Sequence, residues 1–154
     1  MRLYLVQHAK AASKETDPER SLTEEGRRDI QKVAIFIKPL KLSVDYLWHS
    51  GKNRARQTAE ILAEVVEVRK EMAPHDGLAP NDDITPLKDE LISKKQDTMI
   101  VGHLPFLPKL ASLLLTNSHS SNPVAFKNGG IVCLDYSDDN QWQLDWMIIP
   151  ELLV

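Results

Sequence analysis

The sequence predicts a three-layer α/β/α fold built on a mainly parallel central sheet with an antiparallel edge. Short apolar segments with strand character alternate with segments of helical spacing, which is typical of parallel sheets whose crossovers are helices. Near the end of the chain, two more strand-like segments are separated only by a short polar turn, which predicts the antiparallel edge. The length of 154 residues suits one domain with a real core, so we expect residues 1–154 to form a single domain.

The elements of the first half follow from apolar spacing and from end signals. They are a strand at 2–6, a polar loop at 9–22, a helix between Thr23 and Pro39, a strand at 44–49 and a helix at 54–66. Thr23 is a favourable N-cap residue, and from Ile30 apolar residues recur at i, i+3, i+4 and i+7, on one face of a helix. Pro39 ends this helix because its ring does not fit a helix interior.

The second half predicts two more helices, a buried strand and the edge hairpin. The elements are a loop at 73–83 with room for a short strand, a helix at 84–94, a strand at 97–102, a helix from Pro105 to Leu115, and strands at 130–136 and 142–148. Residues 137–140, Ser-Asp-Asp-Asn, are favourable turn residues between the last two strands. Cys133 is the only cysteine, and its apolar neighbours indicate a buried thiol rather than a nucleophile.

Composition and charge exclude several classes of function. The net charge of -3 and the pI of about 5.9 argue against a general nucleic-acid binder, which would be basic. No segment approaches the roughly 20 apolar residues that span a bilayer, and the apolar run at 3–6 is too short for an export signal. We therefore expect a cytoplasmic protein with neither a nucleic acid nor a membrane as partner. Metal-ligand spacing and a glycine-rich nucleotide loop are both absent, so we expect no metal and no cofactor.

Three residues with useful chemistry directly follow predicted strands. His8 comes after the first strand, Ser50 after the second and His103 after the third. Because ligand groups gather just past the carboxyl ends of parallel strands, we expect these residues to share one edge of the sheet. A neutral imidazole can attack phosphorus and form a covalent intermediate. Each of these residues alone is more commonly an ordinary polar group, so their coincidence carries the interpretation.

Cations suited to a phosphoryl group lie close to these residues in the sequence. Lys52, Arg54 and Arg56 stand at the start of the second predicted helix, and a helix N-terminus already favours anions. The guanidinium group matches the geometry of phosphate oxygens, and Arg20 is placed to fold over the pocket from the preceding loop. The alternative is that these basic residues form an ordinary solvated helix face.

Four segments together resemble the histidine phosphatase superfamily, which includes the phosphoglycerate mutases. Residues 3–9 resemble its strand with the Arg-His-Gly motif, and residues 20–26 resemble its Arg-x-Leu-Thr-x-x-Gly segment. Residues 50–59 resemble its Ser-Pro-x-x-Arg-Ala-x-Gln-Thr-Ala segment, and residues 101–105 resemble its second-histidine motif. The order and the spacing of all four agree. The short chain is most similar to SixA-type phosphohistidine phosphatases, which lack the insertions of larger members.

The resemblance implies a phosphoglycerate mutase-like fold and a metal-independent phosphatase. By this resemblance, His8 would be the residue that is phosphorylated during the reaction, and Arg54 and His103 would bind the phosphoryl oxygens. Arg20 and Ser50 would line the pocket. The implied partner is a phosphorylated protein or a small phosphorylated molecule.

Position 7 departs from the motif, because Gln7 replaces an arginine. Glutamine can donate an N–H to a phosphate oxygen but brings no charge, which would cost about 1–3 kcal/mol of phosphate or transition-state binding. Lys10 or Lys52 could supply the missing charge. Gly51 replaces a proline of the motif, and we expect it to loosen the turn before Arg54.

The substrate depends on whether a general acid is present. Asp82 and Asp83 are the nearest candidates, although they also suit a turn that caps the helix starting near residue 84. A phosphoramidate such as phosphohistidine needs less help from an acid than an alkyl phosphate. We therefore favour a protein phosphohistidine phosphatase. The alternatives are a small-molecule phosphomonoesterase, or a weakly active or non-catalytic phosphate-binding regulator because of Gln7.

Overall fold

A computed structural model describes residues 1–154 and shows a six-stranded sheet with four helices. The strands are β1 (Arg2–Gln7), β2 (Ser43–His49), β3 (Glu67–Pro74), β4 (Thr98–Gly102), β5 (Ile131–Tyr136) and β6 (Trp142–Ile148). The helices are α1 (Glu24–Ile37), α2 (Asn53–Leu62), α3 (Thr85–Lys94) and α4 (Phe106–Thr116). None of these helices has the length and apolar character needed to cross a membrane.

The strand order places the ends of β2, β4 and β1 side by side. The order across the sheet is β3-β2-β4-β1-β5-β6, and the first four strands are parallel to one another. Strand β5 runs antiparallel to both β1 and β6 and forms the predicted antiparallel edge. The predicted sheet is thus confirmed, and the segments that follow β1, β2 and β4 emerge together at one edge.

Alternate residues of β1 pack into two separate hydrophobic clusters, one on each face of the sheet. Tyr4 and Val6 belong to a cluster of 19 buried residues with the apolar faces of α1 and α2. Leu3 and Leu5 belong to a cluster of 16 buried residues with α3 and α4. Because successive strand residues face opposite sides of a sheet, one central strand contributes to both layers. This arrangement confirms the predicted three-layer architecture.

Most of strand β3 was not predicted from the sequence, which left room only for a short strand within 73–83. The predicted helix at 54–66 ends earlier, at Leu62, and β3 covers residues 67–74, of which only the last two fell in the predicted loop. β3 is an edge strand that pairs only with β2, and most of its residues are exposed. Its charged side chains suit an edge that must not pair with other chains, but they remove the apolar alternation by which strands are predicted.

Helix α1 begins against the segment that follows β1. Thr23 caps the helix, as predicted, because its hydroxyl accepts the N–H of Gly26 at 2.9 Å. The backbone N–H of Thr23 also donates to the carbonyl of Lys10 at 3.0 Å. A Cβ atom at Gly26 would lie 2.1 Å from that carbonyl oxygen, so only glycine permits this approach.

Cys133 is fully buried in β5, as its apolar neighbours predicted. Burial raises the pKa of its thiol to about 11, which keeps the thiol protonated and unreactive at neutral pH.

Candidate active site

His8 follows β1 directly, and its ring orientation is set by the next peptide. Its backbone N–H donates to the carbonyl of Gly102 at 3.0 Å, which continues the pairing of β1 with β4. The ring Nδ1 lies 2.7 Å from the carbonyl oxygen of Ala9. A carbonyl oxygen can only accept, so Nδ1 carries the proton and Nε2 keeps its lone pair. The ring is therefore held in the tautomer that presents Nε2 as a nucleophile.

The surroundings of His8 keep its ring uncharged. Burial lowers the pKa of His8 to about 4, and the positive charges of Arg54 and Arg20 add to this effect. The hydrogen bond to Ala9 acts in the opposite direction and is outweighed. At neutral pH the imidazole is therefore neutral, which is the state that a nucleophile requires.

His103 follows β4 and faces His8 across the site. The two ring centroids are 5.1 Å apart, and His103 is only 2% exposed. Its Nε2 lies 2.6 Å from the hydroxyl of Ser50, which follows β2, while its buried Nδ1 has no partner. Burial lowers the pKa of His103 to about 3, with further lowering by His8 and Arg54. The structure thus brings together the three residues that follow β1, β2 and β4.

Two guanidinium groups lie beside the histidines without any anionic partner. Arg54 lies in the first turn of α2, and its buried Nε has no hydrogen-bond acceptor. Arg20 adopts a left-handed backbone with φ of 49°, and its Nε donates to the carbonyl of Ala12 at 3.0 Å. Burial, and then the charge of Arg20, lower the pKa of Arg54. Neither arginine forms an ion pair, so the site holds positive charge that no carboxylate balances.

Of the two lysines that could replace the charge of the motif arginine, only Lys52 forms no ion pair. The ammonium group of Lys10 pairs with Glu25 at 2.7 Å. Lys52 forms no ion pair, its backbone N–H donates to the hydroxyl of Ser50 at 3.3 Å, and its charge lowers the pKa of His103. Arg56, at the same helix start, is engaged with Glu60. Lys52 is therefore the cation available to the site.

Gln7 lies at the end of β1 with an unsatisfied carboxamide. The residue is 6% exposed, and its buried Oε1 has no hydrogen-bond partner. Gln7 pairs in register with Gly102, so it is the strand neighbour of the residue that precedes His103. The unpaired oxygen can only accept a hydrogen bond and so cannot bind a phosphate oxygen, and the side-chain N–H groups are the part of Gln7 that could donate to one.

The turn before Arg54 requires a glycine in this chain. Gly51 has φ of 88°, a conformation closed to proline, whose ring holds φ near about −65°. The Gly51 N–H donates to Nδ1 of His49 at 3.1 Å. The expected loosening of this turn by Gly51 stays a prediction, whereas its positive φ shows that the turn differs in backbone conformation from one that holds a proline.

Asp82 and Asp83 are engaged in the turn that precedes α3. The carboxylate of Asp82 accepts the N–H of Ala79 at 2.8 Å, and that of Asp83 accepts the N–H of Thr85 at 3.0 Å. No hydrogen bond or ion pair joins either carboxylate to His8 or to the arginines. The structure therefore does not bring these two residues into contact with the cationic site.

Two residues that brace the site were not expected from the sequence. The hydroxyl of Thr58 accepts the N–H of Ala9 at 3.0 Å, and the side-chain amide of Asn128 donates to the carbonyl of His8 at 3.0 Å. Thr58 lies in the segment 50–59 that resembles the family motif but was given no role, and Asn128 lies outside all four of those segments. Both contacts join segments far apart in sequence, which local patterns do not reveal.

A neutral histidine between unpaired guanidinium groups is an arrangement suited to a phosphoryl group. The family model of the histidine phosphatase superfamily (branch 1) matches residues 3–79, half of the chain, including His8, Arg20 and Arg54. The chain belongs to the histidine phosphatase superfamily. The class of its activity is therefore that of a phosphatase. His103 lies outside the matched residues and is assigned to the site by its position beside His8.

Solved structures match this histidine phosphatase over almost its whole length. SixA, described as a protein histidine phosphatase and solved with tungstate, covers 99% of each chain at 20% identity with a TM-score of 0.85. A SixA-type protein from Agrobacterium tumefaciens covers 96% of this chain and 97% of its own, at 26% identity and a TM-score of 0.75. The alpha-ribazole phosphatase from Shigella flexneri covers 97% of both chains at 16% identity and a TM-score of 0.74. No curated protein matches the sequence.

These likenesses confirm the fold that the resemblance implied, and they leave the substrate open. Two of the matched structures are named for SixA and one for a small-molecule phosphatase. Proteins this distant in sequence can share a fold while acting on different substrates. The substrate must therefore be argued from the site itself.

Proposed function

We propose that this histidine phosphatase hydrolyses phosphohistidine carried by a protein, through a phosphohistidine intermediate on its own His8. Residues 1–154 act as one catalytic domain that needs neither metal nor cofactor. The observation that carries the proposal is the neutral, correctly oriented imidazole of His8 beside the unpaired guanidinium groups of Arg54 and Arg20.

The proposed reaction has two steps. The lone pair on Nε2 of His8 attacks phosphorus, and the P–N bond to the substrate imidazole breaks. That imidazole, protonated while it carries the phosphoryl group, leaves as a neutral ring. Water then attacks the phosphorus on His8, inorganic phosphate leaves and the neutral His8 is restored. Arg54, Arg20 and His103 donate hydrogen bonds to the phosphoryl oxygens, with Gln7 and Ser50 lining the same pocket.

The lack of a nearby carboxylic acid supports phosphohistidine over an alkyl phosphate. An alkoxide is a poor leaving group, so ester hydrolysis benefits from a positioned acid. The charged groups that act on the pKa of His8 are both cations, Arg54 and Arg20. Asp82 and Asp83 are occupied by backbone N–H groups of their own turn. An imidazole leaving group avoids this requirement.

A substrate borne by a protein needs only the anion site itself, whereas small-molecule sites usually enclose most of their ligand. Five surface cavities of about 200 to 430 Å³ are lined by residues other than His8, Arg54 and His103, so none of these five would enclose a small ligand beside the catalytic groups. The description of the SixA neighbour as a protein histidine phosphatase agrees with this choice.

A substrate panel with quenched samples tests the proposal. We expect acid-labile phosphate on wild-type protein given a phosphohistidine-bearing domain, and none on His8→Ala. His119→Ala is the matched control, because His119 is an exposed histidine outside the site. The phosphohistidine domain should turn over faster than simple phosphomonoesters.

Two results would replace the proposal with its alternatives. Faster turnover of phosphomonoesters, lost in Asp82→Asn or Asp83→Asn, would indicate a small-molecule phosphomonoesterase. Binding of inorganic phosphate without any phosphate trapped on His8 would indicate a non-catalytic regulator, the outcome that the uncharged Gln7 makes worth testing.

A further inference from the structure

A single buried hydroxyl group joins the peptide that orients His8 to the backbone of Arg54. Nδ1 of His8 donates to the carbonyl of Ala9 at 2.7 Å, and the N–H of Ala9 donates to Oγ1 of Thr58 at 3.0 Å. The same Oγ1 donates to the carbonyl of Arg54 at 2.8 Å. The chain of hydrogen bonds therefore runs from the nucleophile's ring to the residue that carries the guanidinium group.

The direction of each bond in this chain is determined. A backbone N–H can only donate and a carbonyl can only accept, so Thr58 must accept from Ala9 and donate its single proton to Arg54. Thr58 and Ala9 are both 0% exposed, so water cannot readily replace the hydroxyl in the folded protein. The hydroxyl is thus fixed by both of its partners.

The bond from Ala9 distinguishes Thr58 from an ordinary helical threonine. Threonine in a helix commonly bonds the carbonyl four residues earlier, and that bond alone has only a local role. The bond from Ala9 crosses 49 residues of sequence and links α2 to the segment that follows β1. It therefore sets the spacing between two segments that each contribute a group to the site.

We propose that Thr58 is a positioning residue for phosphoryl transfer. The inference rests on the proposed role of His8 as nucleophile and adds that the Thr58 hydroxyl holds His8 in line with the anion bound by Arg54. A displacement of about 1 Å in such a site can slow the chemical step by about 100-fold. Binding of phosphate, by contrast, depends on the cations, which the hydroxyl does not supply.

Three variants separate this role from general packing. Thr58→Val keeps the shape of the side chain and removes the hydroxyl, whereas Thr58→Ser keeps the hydroxyl. Thr98→Val is the matched control, because Thr98 is also buried and its hydroxyl donates to the carbonyl of Gln96 at 2.9 Å. Thr98 begins β4, at the end of the sheet opposite the site.

The readouts are the single-turnover rate of His8 phosphorylation by phosphoramidate, and the Kd for inorganic phosphate. We expect Thr58→Val to lower the rate by about 10- to 100-fold while the phosphate Kd changes by less than about threefold. Thr58→Ser should stay within about threefold of wild type, and Thr98→Val should not change the rate. An unchanged rate in Thr58→Val, an equal loss in Thr58→Ser, or a matching loss of phosphate affinity would each overturn the inference.

Further measurements cover the case in which Thr58→Val does not fold. Thr58→Ala leaves room for a water molecule on the Ala9 N–H, and we expect it to fold and to show the same slow phosphorylation. In wild type, the Ala9 amide should exchange slowly with deuterium. Exchange as fast as that of an exposed loop amide, or a normal rate in Thr58→Ala, would contradict the proposed link.

The outcome for wild type separates this inference from the proposed function. If wild type forms no phosphohistidine with any donor, the proposed role of His8 fails, whatever Thr58 does. If wild type forms it and Thr58→Val forms it equally fast, only the role of Thr58 fails.

Discussion

Ser50 Oγ and His103 Nε2 lie 2.6 Å apart, where the neighbouring strands β2 and β4 end. The hydroxyl also accepts the N–H of Lys52 at 3.3 Å and has a second lone pair, so it can either donate its proton to Nε2 or accept a proton from it. The bond orients the ring in both cases, and Nδ1 is the buried nitrogen that has no partner. We predict that Ser50 donates, which places the ring proton on Nδ1 and leaves one N–H to donate to a phosphoryl oxygen.

Removal of this hydroxyl should disturb both the tautomer of His103 and anion binding. In Ser50→Ala we expect nitrogen NMR to show a mixture of ring tautomers in place of one. The loss of an orienting hydrogen bond, about 1 kcal/mol, should weaken phosphate binding by about fivefold. Ser50→Thr, which keeps a hydroxyl group, is the control. An unchanged tautomer and an unchanged phosphate Kd in Ser50→Ala would show that Ser50 does not orient the ring.

The pH response of His8 should differ from that of an ordinary histidine. With a pKa lowered to about 4, the ring stays neutral well below the usual value of about 6.5, so the nucleophile persists into mildly acidic solution. An NMR titration of the anion-free protein should give a midpoint near the lowered value. Bound phosphate should move the midpoint upward, because a negative charge favours the imidazolium form. A midpoint of about 6.5 without phosphate would show that burial does not lower the pKa of His8.

The same burial makes the stability of the fold depend on pH. Between about pH 6.5 and the lowered pKa values, the unfolded chain binds protons that folded His8 and His103 do not bind. The contribution of these neutral rings to the free energy of unfolding should therefore be complete above about pH 6.5 and should fall as the pH decreases, with a loss of about 1–2 kcal/mol at about pH 5 for His103. Urea unfolding at about pH 7 and at about pH 5 measures the difference. His103→Gln should flatten the dependence, and an equally steep response in that variant would assign it to other groups.

The convergence of His8, Ser50 and His103 was predictable because it depends on local signals and one topological rule. Each residue follows a short apolar run, and the runs form parallel strands whose ends share an edge. The order of the strands across the sheet, by contrast, has no local signal in the sequence. The observed order, with β4 between β2 and β1, is what brings the three ends into contact.

Contacts that depend on packing between distant segments could not be predicted. The bond from Ala9 to Thr58 joins residues 49 apart, and the pair of Lys10 with Glu25 depends on how α1 lies against the segment after β1. Most of edge strand β3 was missed because its exposed, charged residues lack the apolar alternation of a buried strand. These features depend on tertiary structure, for which a single sequence has no local signal.

The cation that offsets the uncharged Gln7 should be Lys52 and not Lys10. Lys52 forms no ion pair and its charge reaches His103, whereas Lys10 is paired with Glu25. We expect Lys52→Gln to raise the phosphate Kd by about 5- to 10-fold, since a charged hydrogen bond contributes about 1–2 kcal/mol. Lys10→Gln should change it by less than about twofold.

A second substitution checks whether Lys52 and position 7 share one role. In a Gln7→Arg background, the arginine supplies the charge, so Lys52→Gln should then have a smaller effect on the phosphate Kd. This double-mutant cycle isolates the coupling between the two positions. Equal effects of Lys52→Gln in both backgrounds, or a larger effect of Lys10→Gln, would remove Lys52 from this role.

Gly26 should be needed for stability rather than for chemistry. An added Cβ atom would lie 2.1 Å from the carbonyl oxygen of Lys10, which is backbone and cannot rotate away, so α1 or the segment after His8 must move. Overpacking of this kind costs about 1–3 kcal/mol, and we expect Gly26→Ala to lose at least that much free energy of unfolding in urea titrations. Arg27→Ala, at an exposed neighbouring position in α1, should change stability by less than about 0.5 kcal/mol. If Gly26→Ala proved as stable as wild type, the close packing of α1 against Lys10 would not exist in solution.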